Sequence, residues 1–305
     1  MAAGRCSSAT TELGRGDDRH GLSALPSMRA VSATEQFHAL VGGDGGDPPL
    51  DVGCLLIAAH SHPDTDPGQV LTAGLTALDE LAQSCPAPTV DGLRRHLFAH
   101  LGFRGNRRRY DDPRNSFLDH VLEARTGIPI TLSVVMIEVG RRLGMALDGV
   151  GMPGHFLVGL GNGSFVDAFD GGRVLDVAGC RERFLELAGP GAPWSDDLLA
   201  PLAPQAVLAR VLANLRQLFA STQDLRGLDW VLELRLGIPG VPPRERAERA
   251  SVLAALGRYD EAAAELEALA GRRGPTGNHP SGAAAAPAGA DELLARAARL
   301  RARLN

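Results

Sequence analysis

The stretch GIPITLSVVMIEVGRRLG (residues 127–144), followed by GMPGHFLVGL (151–160) and SFVDAFDGG (164–172), decides the fold. Pro129 suits a first helical turn, because its missing N–H would be unpaired there anyway. Ile130, Val134, Ile137 and Leu143 then make a long apolar stripe, and Gly144 is a C-terminal stop. From Asp148 the period changes to that of strands: Leu147 and Val150, then Phe156, Val158 and Leu160, a GNG turn, and Phe165 to Phe169. A buried helix followed by strands predicts an α+β core. His155 and Asp167 fall on two adjacent strands of it. A three-residue loop, Gly161-Asn162-Gly163, pairs 157 with 167 and puts both side chains on one sheet face, within reach of each other. A two-residue loop would send them to opposite faces. The three-residue loop is the expectation, with Gly163 in the left-handed conformation.

Outward from this centre the chain reads as helical on both sides. Residues 1–45, polar and Gly/Ser-rich at the start and closing on GGDG, read as a disordered extension. Residues 50–60, 68–83 (GQVLTAGLTALDELAQ) and 89–101 show apolar residues at helical spacing and form an all-helical entry to a core spanning 46–198. Past 200, VLARVLANLRQLF (207–219), LDWVLELRLG (228–237) and LGRYDEAAAELEALA (256–270) are again amphipathic. The last has the small-residue-and-acid rhythm of a tetratricopeptide second helix, so 199–272 is expected to be a helical, tetratricopeptide-like domain. RGPTGNHPSGAAAAPAGA marks a flexible linker over 273–290, and 291–305 a detached Arg-rich helix.

The run from His96 to Gly159 carries GFRGN, DPRNSFL, GIPI and PGHFLV in order, and it resembles the bacterial SirB-type transglutaminase-like proteins, which end in tetratricopeptide repeats. The likeness continues through FVDAFDGG and, more weakly, RVLANLRQLF, covering roughly residues 50 to 270. It implies a transglutaminase-like (papain-like) α+β core with a helical N-terminal part, followed by an all-α domain. In such enzymes the nucleophile is a cysteine in a Gly-x-Cys pattern at the start of a buried helix, where the dipole favours the thiolate. Laid on Gly127-Ile-Pro, that pattern places Pro129 at the cysteine position. No cysteine lies between Cys85 and Cys180.

The resemblance makes His155 the general base and Asp167 its orienting carboxylate. Thr131 and Ser133 are the nearest hydroxyls, rotated from position 129 by roughly 200° and 40° on a helix of 3.6 residues per turn. Thr131 is the candidate hydroxyl nucleophile, while Asn115, Gly127, Pro129, Ser133 and Gly154 are assigned to the groove. Asp170 is a spare carboxylate or a turn former. The favoured expectation is a pseudoenzyme, a protein- or peptide-binding module. The alternative is an amide hydrolase or acyl transferase using a hydroxyl with His155 and Asp167.

Composition narrows the alternatives. The 305 residues are 44% hydrophobic and 22% charged, enough for a sizeable core, and the net charge of −5 gives no electrostatic ground for nucleic acid or an anionic membrane as partner. All 31 basic residues are arginine, which excludes Schiff-base and Ser-Lys chemistry, both of which need a lysine amine. Cys6, Cys54, Cys85 and Cys180 lack CxxC spacing, so no structural zinc and no disulfide framework is expected. His60, His62, Asp64 and Asp66 crowd one proline without a distant ligand, and Asp64 and Asp66 read as helix caps and turn formers. Arg104, Arg107, Arg108, Arg109 and Arg114 beside Tyr110, Asp111 and Asp112 read as a solvated, self-paired loop. No cofactor and no metal is expected, and a cytoplasmic protein whose partner is an unknown protein or peptide fits best.

Overall fold

The structure, a computed structural model, describes residues 31–43, 46–271 and 289–303. The expectations for residues 1–30 and for most of the linker, 272–288, lie outside the described residues.

The helical entry comprises α1 (Ala33–Gly42), α2 (Leu50–Ala59), α3 (Pro67–Gln83) and α4 (Val90–Arg94), which runs on into a π-helical turn, Arg95–His100. The extension expected to reach residue 45 is therefore helical from Ala33. Ser32 accepts from the Glu35 N–H while Glu35 reaches back to the Ser32 N–H, a reciprocal cap, and Phe37 is wholly buried. The single helix expected over 89–101 divides at Arg95, where the bonding pattern widens.

A short strand β1 (Arg104–Gly105) pairs in parallel with β2 (Thr126–Gly127), closing the loop that leads through a 3-10 turn, Pro113–Ser116, and α5 (Leu118–Ala124). The central helix α6 (Pro129–Arg142) follows at once and is buried on every side from Pro129 to Gly140. Nearly as enclosed is α2, LDVGCLLIAA, buried at every residue but Val52. A Cβ on its Gly53 would lie 2.6 Å from the Leu208 side chain, so glycine sets how closely the later helix carrying Leu208 approaches.

Strands β3 (Asp148–Val150), β4 (Leu157–Gly159), β5 (Ser164–Asp167), β6 (Arg173–Asp176) and β7 (Pro201–Leu202) form one antiparallel sheet in the order β6-β5-β4-β3-β7. Val158 opposes Val166 and Gly159 opposes Phe165, and the Leu160 N–H donates to Ser164 O. The connection is thus the three residues Gly161-Asn162-Gly163, with Gly163 at φ +78°. Phe156, Val158, Val166 and Ala168 face the main core, whereas Val150, Leu157, Phe165 and Leu175 pack with Cys180 of α7 (Val177–Ala188) on the other side.

After α7 come α8 (Pro204–Ser221), α9 (Leu225–Gly237), α10 (Arg244–Ala255), α11 (Tyr259–Gly271) and α12 (Ala290–Arg301), and from α9 onward each packs on the helix before it. The boundary expected at 198/199 does not divide the packing. Val207, Leu208, Val211, Leu212 and Leu215 of α8 and Val231, Leu232 and Leu234 of α9 belong to the same core as α2 and α6, and β7 completes the sheet from beyond the boundary. A second cluster begins only with Ala250 and Leu253 of α10 and runs through α11 to α12. Nor is the last helix detached: Leu293, Ala297 and Leu300 are buried in that cluster, and Arg301 pairs with Glu267. The apolar positions of α12 recur at helical spacing, which is why it has a face to bury.

Candidate functional site

The segment between β3 and β4 delivers His155. Gly154 takes φ +74°, a conformation open to glycine, and the His155 N–H donates to Met152 O at 3.0 Å, so the chain folds back just before the histidine. Asp167 closes β5. Its Oδ1 accepts the N–H groups of Phe169 and Asp170 at 3.1 and 3.0 Å, which fixes the carboxylate plane and aims Oδ2 at His155 Nε2, 2.8 Å away. Arg183 of α7 lies 3.5 Å from the same oxygen. Both members of the pair are buried, at 5% and 1% exposure.

Burial pushes the Asp167 carboxyl up, but the hydrogen bond and charge of His155, the Asp170 N–H and the Arg183 guanidinium outweigh it and hold the group below its ordinary value. An ionised carboxylate only accepts, so Nε2 carries the hydrogen. Nδ1 is left as the ring atom without a hydrogen-bond partner among the described residues.

His155 lines a groove of about 610 Å³. Ile128, Pro129 and Ile130 from the start of α6, Ser116, Gly154 and Phe156, the loop residues Tyr110, Asp111 and Asp112, and a stripe of α8 share the lining. That stripe is Arg210, Ala213, Asn214, Gln217, Leu218 and Ser221, residues three or four apart and so on one face of the helix. Pro129 is the first residue of α6 and sits in the same groove as the imidazole. It has no hydroxyl, thiol or N–H to offer there.

Neither of the two hydroxyls singled out in the sequence lines the groove. Thr131, 1% exposed, donates its hydroxyl to Asn115 O at 2.7 Å and accepts the Ile128 N–H at 3.2 Å, so it ties the first turn of α6 to the preceding loop. Ser133 is fully buried and its Oγ has no partner among the described residues. No hydroxyl among the described residues hydrogen-bonds to the His155 ring. Asn115 is also turned away: its Nδ2 donates to Arg109 O and Tyr110 O and its Oδ1 accepts from Asn106, so it shapes the loop that presents Tyr110. Gly127 lies behind the groove, where a Cβ would come within 2.8 Å of Thr131 Oγ1. Of the residues assigned to the groove, Pro129 and Gly154 line it.

The remaining candidates disperse. His60 stacks on Trp230 with ring centroids 4.8 Å apart and hydrogen-bonds Leu56 O and Thr34, while His62 pairs with Asp119 at 2.6 Å. No group of three or more His, Cys, Asp or Glu among the described residues is placed to hold a metal ion. Arg107 pairs with Asp170 at 2.7 Å and lies over the Phe169 ring, and Arg114 forks onto Asp112. Asp170 is thereby engaged on the surface. Cys54 and Cys180 are buried away from the groove, and burial raises both thiols, Cys180 to about 12.

Sequence reasoning missed Arg210, Asn214 and Gln217. The i, i+3, i+4 recurrence of polar residues along α8 was visible in the chain, but its apolar stripe drew attention to the core and left the other face without an addressee.

No helix among the described residues is long and apolar enough to cross a membrane. Residues 70–213, from α3 into α8, match the transglutaminase-like superfamily and include His155, Asp167 and Arg210. A UPF0162 protein of Xylella fastidiosa (strain Temecula1) is 40% identical over 211 residues, 64% of this chain and 73% of that protein. A UPF0162 protein of Pseudomonas aeruginosa is 32% identical over 200 residues, 61% of this chain and 72% of its own length. A stretch of 102 residues, 30% of this chain, is 35% identical to F-box only protein 21 of Mus musculus and covers 16% of it. With an α+β core, a His/Asp pair on adjacent strands and relatives matched over most of their length, the chain belongs to the UPF0162 family of bacterial transglutaminase-like proteins.

Proposed function

We propose that this protein is a SirB-type member whose thiol site has become a binding groove, and that it holds a peptide segment of a partner protein without cleaving it. The observation that carries this reading is the presence of Pro129 in the groove with His155 while the nearest hydroxyls of α6 are buried elsewhere. A proline ring and two isoleucines offer apolar contact but no nucleophile. Asn214 and Gln217, amides that both donate and accept, suit the alternating C=O and N–H groups of an extended backbone. The stripe from Arg210 to Ser221 covers eleven steps, about 16 Å at 1.5 Å per residue, the reach of roughly five extended residues.

The helices α8 to α12 are in this reading a tetratricopeptide-like module that contributes one face to the groove and presents the rest to the same partner. The packing of each helix from α9 to α12 on the one before it and the rhythm of YDEAAAELEALA support it. The localisation that fits is the cytoplasm.

Two measurements test the reading together. A photo-crosslinking amino acid at Gln217, in the full chain expressed in its host, should capture a polypeptide, and Pro129→Trp should abolish capture by filling the groove. A fluorophosphonate or an activated ester should leave no adduct on Ser116, Thr131 or Ser133. A covalent adduct that disappears in His155→Ala would establish the hydrolase or acyltransferase alternative instead.

A further inference from the structure

Arg210 differs from the ion-paired arginines of the C-terminal helices. Arg216 pairs with Glu248, Arg235 with Glu245, Arg249 with Asp229 and Glu265, and Arg258 with Asp229 and Glu261. Arg210 has no carboxylate partner among the described residues. Its guanidinium spends its donors on main-chain oxygens: Nη1 on Gly151 O at 2.7 Å, and Nη2 on Met152 O at 2.6 Å and His155 O at 2.9 Å. It also lies 5.8 Å from the centroid of the Phe156 ring.

All three carbonyls belong to the short connection between β3 and β4. That connection lies outside the sheet ladder, contains Pro153 with no N–H, and is bent by Gly154 in the left-handed region. Its one internal bond runs from the His155 N–H to Met152 O. The planar, forked guanidinium is suited to gather several oxygens at fixed angles, which an ammonium on a flexible stem is not. Isolating a cation from carboxylates and partly from water is unfavourable, and burial does draw the Arg210 pKa down.

From this we infer that Arg210 is the positioning residue of the histidine: it clamps the 151–155 connection through three carbonyls and thereby holds the His155 ring in register with Asp167 and over the groove. It acts through main chain and makes no hydrogen bond to the His155 ring or to Asp167. The consequence is that the histidine site is completed from α8, and the helical segment is part of the site rather than an appendage. The inference deepens the groove reading and rests on it for function, but its geometry stands on the connection alone.

The test uses the full chain labelled with ¹⁵N, following the His155 imidazole Nε2–H resonance and the exchange of the His155 backbone amide. In the parent the ring proton is held against Asp167 and visible at low field. Arg210→Gln should remove that resonance and speed His155 amide exchange more than tenfold, in a chain that still shows cooperative melting. Arg216→Gln, which loses an ion pair on the same helix but no loop contact, should leave both within twofold. Should Arg210→Gln not fold, Arg210→Lys keeps the charge without the fork and should still lose the ring resonance.

A folded Arg210→Gln or Arg210→Lys chain with the parent's ring resonance and exchange rate overturns the inference while leaving the groove reading intact. A hydroxyl adduct under the acylating probes topples the groove reading and leaves the clamp in place. The two failures are therefore distinguishable.

Discussion

The Nε2 of His155 lies 2.8 Å from Oδ2 of Asp167, and the other carboxylate oxygen is already bound by two backbone N–H groups. The aspartate is thus shared between the ring and the β5 turn. Asp167→Asn is expected to destabilise the protein by about 2 kcal/mol at pH 7, the scale of a charge-assisted hydrogen bond in a buried site. The Asp167 pKa is depressed in the folded state, so its stabilisation is complete above the ordinary carboxylate value of 3.8 and is lost as pH falls through the depressed value. Denaturant titrations should therefore show a constant gap between parent and variant from pH 7 to about pH 5, closing below about pH 4. A gap that widens on acidification would contradict the ionised Asp167 carboxylate.

Pro129→Cys should recreate a reactive thiol. The new side chain would sit at the N-terminus of α6, where the helix dipole favours an anion, in the groove that His155 lines. We expect iodoacetamide at pH 6 to alkylate it at least tenfold faster than Cys85, and His155→Ala to remove most of that advantage. Peptide mapping by mass spectrometry separates the two thiols. Equal rates at both cysteines would mean that position 129 is not addressed by the imidazole.

How much of this was legible in the chain depends on what each residue contacts. The α6 helix and the 161–163 loop are local: Pro129, the stripe to Leu143 and Gly163 fix them within a few residues of sequence. The His155/Asp167 alignment follows from that register. What sequence could not supply were partners far along the chain. Thr131 reads as a spare hydroxyl in the sequence, but its hydroxyl donates a hydrogen bond to Asn115 O, sixteen residues earlier. Arg210 is separated by fifty-five residues from the His155 carbonyl it holds, and nothing local to α8 announces that partner. The 198/199 boundary failed for the same reason, because the apolar face of α8 was readable but its burial against α2 and α6 was not.

That shared packing makes a specific forecast for truncation. A chain ending at residue 203 would expose the side of the main core that Val207, Leu208, Val211, Leu212 and Leu215 cover. It should not fold cooperatively. Leu212→Ala alone should cost about 2–5 kcal/mol, the usual range for a buried leucine emptied to alanine, measured by urea titration. By contrast, a chain ending near 243 keeps α8 and α9 and should retain the His155 resonance with modest loss of stability. If the 203 chain melts like the parent, the helical segment is a separate domain after all.

The buried ionic cluster between α2 and α6 allows a test whose sign differs from that of Asp167. Arg142 donates to Asp51 at 2.9 Å, to Glu138 at 3.2 Å and to Asp79 at 2.6 Å, and Asp51 and Glu138 are almost entirely buried. Burial raises the Asp51 carboxyl, but hydrogen bonds from Arg142 and the Val52 N–H and the charges of Arg142 and Arg141 bring it below its ordinary value. Glu138 remains above its ordinary value, from burial and from the charge of Asp51 beside it. Arg142→Met leaves two carboxylates close together with only the half-exposed Arg141 for compensation, and should cost about 3–5 kcal/mol at pH 7. In that variant at least one folded-state carboxyl pKa stands above its unfolded value, so the folded form binds more protons. Stability should then rise as pH falls from 7 towards 5, and more steeply than in the parent, whose raised Glu138 carboxyl gives a slope of the same sign while its Asp51 contribution stays constant. Melting temperatures of parent and Arg142→Met across that window decide the matter, and the addition of Glu138→Gln should flatten the slope by removing the carboxylate that takes up the proton.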